Sequence, residues 1–265
     1  MSLRINQNTD AFNSYRNLSV TQGQLSKSLE KLSSGFRINR AADDAAGLAI
    51  SEGLRAQVGG LKVAVRNAQD GISVAQTAEG ALTEVHSMLQ RMNDLAVQYN
   101  NGTQNAQSKA SLNQEFSALQ TEIGRIETNT KFNGVSLFGG GAATNFQVGY
   151  SSSDVIAVDL SYTPTTDTAG LSIASATASD DVQAAITNVS TARANLGAIQ
   201  NRFEHTINNL NVAVENLTAS ESRIRDTDMA SEMVNFTRAN ILSQAGTAML
   251  AQANQAPQSV LKLLQ

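Results

Sequence analysis

LRAQVGGLKVAVRNAQDGISVAQTAEGALTEVHSMLQRMNDLAVQY, residues 54–99, carries an apolar side chain every three or four positions along its whole length. Leu54, Val58, Leu61, Val65, Ala68, Ile72, Ala75, Ala78, Leu82, Val85, Leu89, Met92, Ala96 and Tyr99 alternate spacings of 4 and 3, with one slip at 75–78. That alternation is the seam of a coiled coil. At about 1.5 Å per residue the predicted helix is roughly 70 Å long, and its stripe needs partners from end to end.

Partners follow in the chain. Leu112, Phe116, Leu119, Ile123 and Ile126 repeat the spacing, after a turn at NNGTQN (100–105). Val182, Ile186, Val189, Leu196, Phe203, Leu210, Val214 and Leu217 line another long helix, with Asp180 or Asp181 placed to cap its start. Three long seams predict a mainly α fold, an elongated antiparallel helical bundle or coiled coil. Residues of about 132–175 interrupt it. FNGVSLFGGGAATNFQVGY (132–150) brings glycines, and DVIAVDLSYTP (154–164) alternates Ile156, Val158, Leu160 and Tyr162 at period two, which predicts a small β-hairpin region.

Composition agrees with long helices. Aromatics make up 5 % of the 265 residues, Trp is absent and Pro occurs twice, so a single wide core is not expected. Zero cysteines exclude disulfides, thiolate metal sites and cysteine nucleophiles. The N-terminal MSLRINQNTDAF has no apolar signal-peptide core and no stretch reaches eighteen consecutive apolar residues, so neither a cleaved signal nor a membrane span is expected. Residues 1–40 hold six Lys/Arg against two acids, but no interleaved aromatics or binding motif, and nucleic acid is not an expected partner.

Both ends read as helices with weak apolar faces. Tyr15, Leu18, Gln22, Leu25, Leu29 and Leu32 are spaced 3-4-3-4-3, and Leu242, Ala245, Met249 and Gln252 follow 3-4-3, with Leu250 and Leu264 nearby. Such faces stabilise little until something covers them, so the ends read as segments that order on assembly.

Between the first seam and the long one lies LSSGFRINRAADDAAGLAI (32–50), where small residues, glycine and charges break the helical register. Ser33, Ser34 and Gly35 permit a helix end, Asn39, Asp43 or Asp44 can cap the next helix, and Arg37 and Arg40 can donate to carboxylates of a neighbour. Without a third ligand nearby, Asp43 and Asp44 read as caps or ion-pair partners rather than half of a metal site. His86 and His205 are lone histidines on predicted helices, there is no HExxH motif, and the 139–141 glycines lack the Lys-Ser/Thr of a phosphate loop. No catalytic constellation or cofactor site emerges, so an enzyme is not expected.

KLSSGFRINRAADDAAG (31–47) resembles the N-terminal hallmark of bacterial flagellins. The similarity continues through GLKVAVRNAQDGISVAQTAEGALTEV (60–85), QRMNDLAVQ (90–98) and TKFNGVSLF (130–138), and resumes in SRIRDTDMASEMVNFTRANILSQAGTAMLAQANQAPQSVLKLLQ (222–265). It implies paired N- and C-terminal helices, an inner coiled-coil domain of residues 1–40 plus 225–265, and a helical bundle domain of 41–224. With only about 40 residues in the middle, the chain resembles a minimal flagellin without large outer domains.

The resemblance implies a structural subunit that polymerises with itself into the flagellar filament, outside the cell, for motility. A hook–filament junction protein with similar ends is the alternative, and a soluble coiled-coil adaptor a more distant one. Subunit assembly would then involve Leu25, Leu29, Leu32, Arg37, Asn39, Arg40, Asp43, Asp44, Leu242, Met249, Leu250 and Leu264. Implied partners are a flagellar export chaperone, the flagellar type III export apparatus, and the filament cap and hook-junction proteins. Gln90, Arg91, Leu95 and Glu115 match flagellin positions that contact a host Toll-like receptor. The Ser/Thr-rich 151–179 stretch reads as a solvated loop that suits O-glycans.

Overall fold

A computed structural model describes residues 7–139 and 144–263, with side chains to Gln255. Helices dominate, as the seams predict: α1 (Thr9–Ser34), α2 (Ala45–Tyr99), α3 (Ala106–Asn129), α4 (Pro164–Thr168), α5 (Ala178–Arg225) and α6 (Met229–Leu263). Two antiparallel strand pairs lie between α3 and α4: β1 (Lys131–Phe132) with β2 (Val135–Ser136), and β3 (Thr144–Gln147) with β4 (Val155–Val158). The chain forms two compact units, one of residues 1–56 and 216–265, the other of 57–215.

In the 57–215 unit, α2, α3 and α5 share one core. Leu82, Val85, Leu89 and Met92 of α2, Phe116 and Ile123 of α3, and Val182, Val189, Leu196 and Phe203 of α5 are all buried. Each large side chain so buried is worth about 1.5–3 kcal/mol. The predicted seam is met at most positions, but the buried stripe of α2 is wider than a coiled-coil seam. Ala64, Val74 and Leu95 are buried too, whereas Val65 is half-buried. A helix packed between two partners needs a broader apolar face than the narrow stripe that serves one. Polar contacts fix the register. Asn93 accepts from Ser179 at 2.9 Å, and Glu79 accepts from Gln200 at 3.0 Å.

The connection at 100–105 is a turn, with Asn105 capping α3 by accepting from the Ser108 amide at 2.7 Å. At the start of α5 the cap differs from expectation. The helix begins two residues before Asp180, so both aspartates sit in its first turn, where they complement the helix dipole, and Thr177 donates to Asp181 at 3.0 Å.

The middle segment is less β-rich than its period-two pattern predicts. Ile156 and Val158 do alternate inward on β4, but Leu160 is buried outside any strand and Tyr162 precedes α4. Pro164 opens that short helix at the position where its missing N–H is no loss. Three anchors hold this segment to the bundle. Gln120 donates to the Thr168 and Leu171 carbonyls (3.0 and 2.9 Å), Glu127 accepts from the Thr165 amide (2.8 Å), and Asn67 donates to the Gln147 carbonyl (2.9 Å). Tyr162 donates to Asp167 at 2.8 Å, and burial together with that carboxylate pushes its phenol far above the ordinary tyrosine range. Asn133 and Gly134 take left-handed backbone angles (φ 49° and 81°) and form the tight β1–β2 turn.

Gly71 marks a close helix-to-ring approach in this core. A Cβ there would stand 2.6 Å from the Phe203 ring, which in turn meets Phe146 edge-on at 5.6 Å between centroids. Three ring atoms lie within 3.0 Å of that Cβ position, so the whole buried ring would have to shift. Gly71→Ala is therefore expected to destabilise this unit by about 1–3 kcal/mol, read as a lower Tm in thermal unfolding followed by circular dichroism.

Candidate assembly surface and helix link

Within the 1–56/216–265 unit, α1 and α6 pair antiparallel. Asn8 caps α1 by accepting from the Ala11 amide at 3.0 Å, and its Nδ2 donates to the Ala253 carbonyl at 2.7 Å. At the opposite end, the Gly35 carbonyl accepts from the Thr227 amide at 2.9 Å. The side chains of α1 turned to this pairing are Ala11, Ser14, Leu18, Thr21, Leu25, Ser28 and Leu32, spaced 3-4-3-4-3-4. On α6 they are Glu232, Phe236, Ala239, Ser243, Gly246, Leu250 and Ala253, spaced 4-3-4-3-4-3. Most are small, so the two backbones run within 8 Å of each other. A Cβ on Gly246 would come within 3.2 Å of the Leu18 methyl.

This seam corrects part of the predicted one. Leu18, Leu25 and Leu32 lie on it, but Tyr15, Gln22 and Leu29 are shifted out of it and exposed. On α6, Leu250 faces the seam, whereas Leu242 and Met249 face away. Spacing by three and four is satisfied equally by neighbouring stripes on an apolar helix. Close backbone approach selects the stripe with the smallest residues. Leu264 falls outside the described residues.

Large apolar side chains are left on the outside. Phe12 (72 % exposed), Tyr15, Val20 and Leu29 project from α1, and Met233, Val234, Ile241 (60 %), Leu242 and Met249 from α6. Met233, Val234, Thr237, Arg238, Ile241 and Leu242 line a shallow apolar depression on α6, and Phe12, Tyr15 and Val20 border another on α1. A helix that is apolar on the side turned from its partner has a second partner to find.

The link between α1 and α2 is built by the 32–50 stretch. Gly35 ends α1 in the left-handed conformation (φ 75°), with its amide donating to the Lys31 carbonyl. Asn39 ties back to α1 by donating to the Ser34 hydroxyl at 2.8 Å. Asp43 accepts from the Asn39 and Arg40 amides at 3.2 and 3.0 Å. Of the three expected caps only Asp44 serves α2, accepting from the Gly47 amide at 2.8 Å, and Ile38 is fully buried beside it. Gly47 is required there, because a Cβ would stand 2.4 Å from the Asp44 carboxylate and 2.9 Å from Ile38.

Both arginines expected to reach a neighbour bond within the chain. Arg40 pairs with Glu30 at 2.8 Å, and Arg37 donates to the Ile224 carbonyl at 2.7 Å. Phe36 bridges to Asp226, Arg225 lies over the Phe36 ring at 4.9 Å, and Arg225 pairs with Glu52 at 2.6 Å. These contacts join the α1–α2 link to the short α5–α6 link, where Asp228 caps α6 by accepting from the Ala230 amide at 2.9 Å. All of these residues lie within the unit of residues 1–56 and 216–265.

In the other unit, Arg91 and Glu115 are exposed and pair at 2.8 Å, and Gln90 is exposed beside them. Leu95 is not part of that surface. It is 0 % exposed and belongs to the core, so it offers no outside molecule a contact. Among the described residues no group of three metal-ligating side chains occurs, and no helix is long and apolar enough to cross a membrane.

Residues 5–143 match the family model described as the bacterial flagellin N-terminal helical region, and residues 180–264 match that of the C-terminal helical region. The chain belongs to the bacterial flagellin family. It is 54 % identical over 272 residues to a flagellin of Halalkalibacterium halodurans, covering 98 % of this chain and 99 % of that one. With a flagellin of Bacillus subtilis it shares 48 % over 304 residues, covering 99 % and 100 %. A flagellar filament 33 kDa core protein of Treponema phagedenis is 44 % identical over 283 residues, covering 98 % and 99 %. Among solved structures, a crystal structure of Bacillus cereus flagellin superposes with a TM-score of 0.50 at 31 % identity, covering 55 % of this chain and 88 % of that one.

This flagellin is a structural subunit that polymerises into the flagellar filament, outside the cell. None of these relatives favours the junction-protein alternative.

The two amides held by Asp43 keep its carboxyl below the usual carboxylate range, with the Arg40 amide the larger cause. A depressed folded value stabilises the link above the ordinary carboxylate range, and the effect is lost as pH falls through the folded value. NMR amide shifts of Asn39 and Arg40 are expected to titrate on that acid side in the native chain, and to stay level in Asp43→Asn.

Proposed function

We propose that the outward apolar faces of α1 and α6 are the surfaces through which one flagellin subunit packs on the next. The observation that carries this reading is the inversion in this unit. The small residues face each other between the two helices, Ser28 and Ala239 buried and the rest half-buried, while Phe12, Tyr15, Met233, Val234, Ile241 and Leu242 are exposed. Covering such a face removes apolar area from water at about 25 cal/mol per Å², and the contact is heterologous, so it propagates without closing. Residues 1–40 and 225–265 then form the filament core, with 41–224 in the next shell. Leu29, Leu242 and Met249 act from their exposed positions, whereas Leu25, Leu32 and Leu250 act indirectly by holding α1 against α6. The 35–44 link, with Arg37, Asn39, Arg40, Asp43 and Asp44, sets where the paired ends begin.

The remaining partners follow from the family. The flagellar type III export apparatus exports the subunit without a cleaved signal, a flagellar export chaperone covers the apolar C-terminal helix beforehand, and the filament meets cap and hook-junction proteins at its ends. The chain has no catalytic role. Gln90, Arg91 and Glu115, without Leu95, form the exposed part of the surface proposed to meet a host Toll-like receptor. A reporter cell line for that receptor is expected to respond to purified monomer and to lose response with Arg91→Ala.

Seeded polymerisation tests the main proposal. Ile241→Asp with Leu242→Asp places two charges on the exposed face of α6, away from the seam. Electron microscopy is expected to show no elongation from filament seeds at concentrations where the native chain elongates, with the thermal transition of the 57–215 unit unchanged. Normal elongation by this variant would refute it.

A further inference from the structure

Methionines are distributed unevenly in this chain. Met92 is 0 % exposed in the core of the 57–215 unit, and Met88 on the same helix is half-buried. Met229, Met233 and Met249 are 47 %, 49 % and 60 % exposed, and all three lie on α6. Met233 lines the apolar depression together with Val234, Ile241 and Leu242, and Met229 stands one turn before it. The chain holds no cysteine, so no thiol competes with these thioethers for an oxidant.

We propose that Met229, Met233 and Met249 form an oxidant-sensitive modification site of the unassembled subunit, and that their conversion to sulfoxides blocks its addition to a filament. The second half rests on the assembly role proposed above for the face of α6. The reactant is a peroxide. The thioether sulfur attacks one peroxide oxygen, the S–O bond forms as the O–O bond breaks, sulfur loses two electrons, and with hydrogen peroxide the other oxygen leaves as water. Each event replaces a flexible apolar group with a polar, chiral sulfoxide on a face that requires apolar contact. Met92 has the same chemistry but no access for the oxidant, which makes it an internal reference.

The test treats monomeric full-length chain with hydrogen peroxide, maps the added oxygen by peptide mass spectrometry, and follows seeded elongation of the product. Met229, Met233 and Met249 are expected to gain oxygen well before Met92, and elongation to be lost in step. Treating the oxidised chain with methionine sulfoxide reductases of both epimer specificities is expected to remove the added oxygen and restore elongation. Oxidation of Met92 as fast as the α6 methionines would overturn the site assignment. Selective oxidation with undiminished elongation would overturn the block. Ile241→Asp, assayed alongside, separates the two readings. If that variant also elongates, the α6 face itself is not an assembly surface, whereas its failure beside an active sulfoxide form rejects the oxidation block alone.

Discussion

The close pairing of α1 with α6 is the constraint on which the rest of this flagellin depends. Two helices whose facing residues are mostly Ala, Ser, Thr and Gly, between four leucines, Phe236 and Glu232, approach to within 8 Å. Little apolar area is buried by such a seam, because small side chains have little to bury. Phe12, Tyr15, Val20 and Leu29 of α1 and Met233, Val234, Ile241, Leu242 and Met249 of α6 are left outside. The seam thus leaves an apolar surface outside, the one proposed to meet the next subunit.

The bundle of α2, α3 and α5 obeys the opposite rule. Its facing positions hold Phe, Leu, Met and Val, its helices stand farther apart, and its core is complete within the chain. Gly71 under the Phe203 ring is the exception that allows one local approach. One sequence therefore builds a unit with a broad buried core and a unit that leaves large apolar groups exposed, and the difference lies in the size of the side chains on each seam. The link at 35–44 and the short α5–α6 link are joined by Arg37, Arg225 and the Phe36–Asp226 bridge, so the two strokes of chain entering the paired ends do so in a fixed register.

Much of the fold was legible without coordinates. The 54–99 seam, the turn at 100–105, the α3 and α5 stripes and the break after Ser34 all reflect local rules of spacing, capping and glycine conformation, and those rules act within a few residues. What depends on distant parts of the chain is not legible in this way. Spacing alone puts Leu29, Leu242 and Met249 on a seam and resemblance puts Leu95 on a surface, but packing exposes the first three and buries the last. Arg37 and Arg40, which the sequence leaves free to reach outward, bond to the Ile224 carbonyl and to Glu30.

By itself the sequence determined the helices, their lengths, the place of the β-hairpin region and the family, because period, composition and long ordered motifs are properties of the chain alone. Only the tertiary structure decided which of several equivalent stripes on α1 and α6 faces inward. That choice depends on how near two backbones can come, a quantity set jointly by residues more than two hundred positions apart, and it is what separates the groups enclosed between α1 and α6 from those left exposed.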